Sequence, residues 1–126
     1  MKSLVGVLRV MSLGAASGLV SVAALVAPPT AGADVVAYLV NVHVRPGYNF
    51  PNADAALAYG YGVCDKVAAG QPFAQVMGDV RGDFRTDDDY QASYLISQAV
   101  NELCPGQIWQ LRKSAAHYQS PPGVHP

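Results

Sequence analysis

Glutamate is nearly missing from this chain: Glu102 is the only one among 126 residues, and Asp, Glu, Lys and Arg together make up 13% of the sequence. The paired carboxylates of acid–base catalysis are therefore scarce. No G-x-S-x-G elbow, H-E-x-x-H pair or glycine-rich phosphate loop occurs, which removes the common hydrolase, zinc-protease and nucleotide-binding signatures. Only two cysteines are present, Cys64 and Cys104, 40 positions apart. That spacing excludes a C-x-x-C redox pair and a C-x-x-C-H haem attachment, and with His43, His117 and His125 it makes no recognised zinc site. Basic residues number eight and are scattered, whereas a nucleic-acid binder needs them clustered against phosphates. These absences predict a protein that is not an enzyme, carries no cofactor or metal and does not bind nucleic acid.

One long hydrophobic run is present. Lys2 and Arg9 precede an uncharged apolar stretch of 18 residues, Val10 to Ala27, and Ala31 and Ala33 then stand at the small-residue spacing of a secretory cleavage site. Residues 1–33 are read as a signal peptide cut between Ala33 and Asp34, giving a secreted or extracytoplasmic protein with no membrane segment after cleavage. The competing reading is an uncleaved anchor, because about 20 apolar residues span a bilayer core. Gly14, Gly18, Pro28, Pro29 and the A-x-A ending favour cleavage. No cysteine follows the cut and no twin arginine precedes the run, so neither lipoprotein processing nor twin-arginine export is expected. The remaining 93 residues carry six basic and nine acidic side chains, a formal charge of −3, which also disfavours an anionic membrane surface as partner.

A domain of this size buries a modest fraction of its surface and benefits from an added constraint. Two cysteines outside the reducing cytosol are read first as one disulfide. A Cys64–Cys104 bridge closes a loop of 40 residues, for which chain entropy gives on the order of 4 kcal/mol. Intermolecular pairing and a free nucleophilic thiol are the alternatives.

Periodicity is helical throughout. Asp34 stands in cap position before "VVAYLVNVHV", where Val36, Leu39, Val40 and His43 recur at helical intervals. After the breakers of "RPGYNFPN", Asn52 caps a second helix that Gly70 ends, with Ala56, Gly60, Val63, Cys64 and Val67 on one stripe. Gly60 and Gly62 each cost about 1 kcal/mol relative to alanine in a helix, which points to close approach of a neighbouring helix. Pro72 opens a third helix with Phe73, Val76, Met77 and Val80 inward and Gly82 as terminator. Thr86 starts a fourth with three first-turn carboxylates and an inward stripe of Ala92, Leu95, Ile96, Ala99, Val100 and Leu103, running to Cys104 before Pro105. Residues 107–126 are expected to hold one short helix around Trp109 and a disordered tail, "SPPGVHP". The fold class is all-α, with four to five short helices.

With these residues placed, "VVAYLVNVHV", "ADAALAYGYGVCDKVAAGQPFAQVM" and "DYQASYLISQAVNELCPG" together resemble the domain of unknown function 732 family, small exported proteins of mycobacteria and related actinobacteria. The resemblance covers Asp34 to Gly106, the expected domain boundary. It implies a secreted all-helical domain with Cys64 and Cys104 as the cysteine pair, and it implies no activity.

Three motifs have tempting readings. "RGD" at Arg81–Asp83 serves adhesion only at an exposed loop apex; the simpler reading is a helix end at Gly82 with solvated charges. Asp87, Asp88 and Asp89 are hard ligands, but adjacent helical residues converge poorly on one ion and EF-hand spacing is absent. His43, Tyr48, Tyr59, Tyr61, Tyr90 and Tyr94 include haem-ligating types, yet tyrosines on helix faces are usually packing residues. The sequence therefore predicts a monomeric, non-enzymatic interaction module. Its partner is an unknown protein or envelope component, met through Trp109, Arg112 and Lys113; the alternative is a carrier of a small haem-like or lipid-like apolar ligand in the helical core.

Overall fold

The computed structural model describes residues 33–126; the expected leader, apart from Ala33, lies outside them. Among the described residues the chain is all-α. Its elements are α1 (Val35–Val44), α2 (Ala53–Ala68), α3 (Phe73–Phe84), α4 (Asp89–Gln98), a π-helical turn (Ala99–Leu103), a 3-10 turn (Pro105–Gln107) and α5 (Ile108–Ala115).

Local chemistry sets the boundaries. The Asp34 carboxylate accepts the Ala37 N–H (2.9 Å) and the Asn52 side chain accepts the Ala55 N–H (2.8 Å), each satisfying an otherwise unpaired donor of a first turn. Gly70, at φ +88°, closes α2 in the left-handed conformation glycine tolerates. α3 departs from expectation: it runs through Gly82 to Phe84 and ends on Arg85, itself left-handed at φ +51°. The "RGD" triplet therefore lies inside the last turns of a helix, not in a link between helices. α4 also begins later than Thr86, because Asp88 accepts the Tyr90 and Gln91 N–H groups and so fixes the start at Asp89.

The core follows the expected stripes on α2 and α4. Ala56, Gly60, Val63, Cys64 and Val67 are buried together with Val76, Met77 and Val80 of α3 and with Ala92, Leu95, Ile96, Ala99, Val100 and Leu103. Of the expected face of α1 only Leu39 packs, half-buried, against the core. Tyr38 and Val42 are the buried residues, while Val36, Val40 and Val44 are exposed in a row and His43 points outward. Tyr38 wins the inward position because it has the most apolar area to bury and a partner for its hydroxyl, which donates to the Ala56 carbonyl (2.8 Å).

The two glycines of α2 separate cleanly. A Cβ on Gly60 would stand 2.6 Å from Leu103 Cδ1 and 2.7 Å from the Tyr38 ring and hydroxyl, whereas one on Gly62 meets nothing within 4 Å. Close approach therefore explains Gly60 and not Gly62. Gly60→Ala should cost about 1–3 kcal/mol by overpacking, while Gly62→Ala should be neutral or stabilising by up to about 1 kcal/mol. Urea unfolding of the two variants checks the contrast, and equal effects would contradict it.

The expected fourth helix changes winding before it ends. Ala99–Leu103 is a π turn, packed against both α1 and α2; the Glu102 carbonyl accepts the Asp34 N–H (2.5 Å) there. A wider turn presents more side chain inward over one short stretch, and Ala99, Val100 and Leu103 are all buried.

The tail is not loose. The His125 N–H donates to the Asp87 carbonyl and the Asp89 N–H to the His125 carbonyl, both at 2.7 Å, so the chain returns beside the start of α4. Composition gave no hint of this, since the order comes from long-range bonds and not from local propensity.

Candidate functional site

α5 is short and two-sided. Leu111 is buried and Ile108 half-buried against the core, while Trp109, Arg112 and Lys113 face outward. Two bonds clamp it: the Gln110 amide donates to the Val67 carbonyl at the end of α2 (2.5 Å), and Ser114 Oγ accepts the Phe73 N–H at the start of α3 (3.0 Å). Trp109 is 70% exposed, and the Arg112 guanidinium lies 5.4 Å from its ring centroid. The structure thus groups all three residues singled out on this helix. Arg112 and Lys113 form no ion pair among the described residues.

A polar cluster that sequence reasoning missed joins α3, α4 and the tail. Asp89, buried at the start of α4, accepts from Arg81 (2.5 Å), from the Tyr118 hydroxyl (2.7 Å) and from the Ser120 hydroxyl. Arg81 also donates to the Tyr118 oxygen (2.9 Å). Burial pushes the Asp89 carboxyl upward, but the bonds from Ser120, Tyr118 and Arg81 outweigh it and hold the group below the ordinary carboxylate value. The Tyr118 phenol is raised, by burial and by its bond to Asp89. The signal was available: Asp89 sits three and seven residues before Ala92 and Ile96, a carboxylate on the apolar stripe. Beside the cluster is an open groove of about 300 Å³ that includes Phe73, Met77, Tyr90 and Tyr118.

The three aspartates of "TDDDY" diverge. Asp87 lies 3.5 Å from the His125 ring, Asp88 caps α4 and Asp89 is buried, and no group of three or more metal-binding side chains occurs among the described residues. In "RGD", Arg81 serves the cluster and Asp83 accepts the Tyr59 hydroxyl (2.8 Å).

The tyrosines are distributed by packing. Tyr48 and Tyr59 join Phe50 and Phe84 in an aromatic cluster with centroid separations of 5.0–6.2 Å, bridging the α1–α2 connection, α2 and α3. Burial pushes the Tyr48 phenol up to about 12, and burial with the neighbouring Asp83 raises Tyr59 further. Tyr90 and Tyr94 instead flank Arg45, whose guanidinium lies 4.8 and 4.7 Å from their centroids. His43 bonds to the Leu39 carbonyl on the outer side of α1. Tyr61 is exposed.

Cys64 and Cys104 are joined as a disulfide, with Cα atoms 6.1 Å apart, linking the interior of α2 to the residue after the π turn. Among the described residues, five helices around one cross-link define the class: a small, disulfide-bonded all-α domain. The chain belongs to the family described as protein of unknown function (DUF732), whose model matches residues 31–106. No curated protein and no solved structure matches it significantly. α5 and the tail lie beyond the matched residues.

Proposed function

We propose that the protein is a non-enzymatic interaction module, exported and acting outside the cytoplasm, that meets a protein or envelope partner through the outer face of α5. The observation that carries this reading is Trp109. A large ring held 70% exposed on a clamped helix, with an unpaired arginine against it, has the composition of an interface anchor, because Trp and Arg dominate binding hot spots. The disulfide supports the oxidising compartment that export provides. Replacing Trp109 with alanine should cost at least 1–2 kcal/mol of partner affinity, roughly a tenfold loss, while leaving the melting temperature unchanged. Recovery of cross-linked partners by wild type and variant, beside thermal melts of both, makes the comparison; equal recovery would remove α5 as the contact surface.

The carrier reading has one observation in its favour, the apolar groove of about 300 Å³ beside Tyr118. Native mass spectra of the exported protein distinguish the two readings, because a carrier retains a ligand and an interaction module does not.

A further inference from the structure

The inner edge of α5 borders a second groove, of about 270 Å³, between the start of α3, the α4–π segment and α5. Its floor is apolar, made by Phe73, Ile108 and Leu111, and its polar lining comes from Ser97, Asn101 and Arg112. No carboxylate lines it, and Arg112 has no anionic partner among the described residues, although acids outnumber bases nine to six over residues 34–126. An apolar floor under two neutral hydrogen-bonding groups and one unneutralised guanidinium is complementary to an apolar side chain next to a carboxylate. The volume falls just below the roughly 300–1,000 Å³ of pockets for drug-sized ligands, which suits one residue better than an acyl chain or a macrocycle.

We propose that this groove captures the carboxy terminus of a partner polypeptide ending in an aliphatic residue: the terminal side chain lies on Phe73, Ile108 and Leu111, and the carboxylate accepts from Arg112 and Asn101. Trp109, adjacent on α5, then meets the residues upstream of that terminus, and Lys113 adds long-range attraction for its charge. The proposal rests on α5 being the partner-binding element.

The test titrates N-acetyl-leucine and N-acetyl-leucinamide into the purified, oxidised protein and follows amide and arginine side-chain NMR signals. The acid should bind with a dissociation constant on the order of a millimolar, in keeping with its few atoms, and shift Ser97, Asn101, Ile108 and Arg112 together. The amide should bind about tenfold more weakly. Arg112→Gln, an exposed change, should bring the acid down to the level of the amide, and Asn101→Asp should weaken the acid selectively by charge repulsion. Equal binding of acid and amide, shifts away from the groove, or an unchanged acid affinity in Arg112→Gln would each overturn the proposal. Loss of partner recovery in Trp109→Ala without any preference for the acid would retain the interaction module and remove this groove from it. A clear preference for the acid with Trp109 dispensable would do the reverse.

Discussion

Reducing the Cys64–Cys104 bond, or replacing both cysteines with serine, should lower the melting temperature by roughly 15–30 °C. The bridge spans 40 positions, so opening it returns to the unfolded chain the freedom of a loop that contains α3 and α4, on the order of 4 kcal/mol. For a small domain whose whole stability is about 5–15 kcal/mol, that is a large share. Cys64 is buried on α2 against the π turn, so serine at this position adds a hydroxyl cost to the lost cross-link. Thermal melts followed by circular dichroism, with and without a phosphine reductant, give the measurement. A shift smaller than about 5 °C would mean that helix packing alone holds the fold.

The second large effect belongs to Asp89. Asp89→Ala leaves the half-buried Arg81 guanidinium without its counter-ion and deprives the Tyr118 and Ser120 hydroxyls of their acceptor. Breaking a fully buried pair from one side costs about 3–5 kcal/mol, and because Arg81 keeps some access to water the loss here should fall at or below about 3 kcal/mol. The double change Arg81→Met with Asp89→Leu should cost less than half as much, since it removes both charges and refills the space. Equal losses in the single and double variants would deny the ion pair its role. The pH dependence has a fixed sign: the folded Asp89 carboxyl lies below its unfolded value of about 3.9, so its contribution is complete above that pH and disappears as pH falls through the folded value. Asp89→Ala should therefore flatten the acid limb of a stability-versus-pH curve and leave the neutral region parallel to wild type.

The core of α2 and α4 was legible because small and aliphatic residues alternate there with polar ones, so the stripe has a phase. α1 has almost none. Eight of its ten residues are Val, Leu, Ala or Tyr at positions all round the helix, and the aliphatic pattern alone selected mostly the row that faces outward. What decided the orientation was a hydrogen bond from Tyr38 to α2, information that local sequence does not contain. Gly82 misled for the opposite reason: a residue that often ends helices is tolerated inside α3, whose stop is set by Arg85. On the site, Trp109, Arg112 and Lys113 were readable as a basic, aromatic patch. Of the Arg81–Asp89–Tyr118–Ser120 cluster only Asp89 left a trace, as a carboxylate on the apolar stripe, because its partners come from two other segments brought to it only by folding.

The π turn makes chain length between α4 and Cys104 a strict quantity. Each helical residue advances the direction of a side chain by roughly 100°, so deleting one residue from Ala99–Leu103 would swing the following sulfur away from Cys64 and lift Leu103 off Gly60. Substitutions in this stretch alter what fills the interior or, at Asn101, what lines the groove, but a single-codon deletion would misalign the cross-link itself. Variation in relatives sharing this architecture should therefore spare the count of residues here more strictly than their identity.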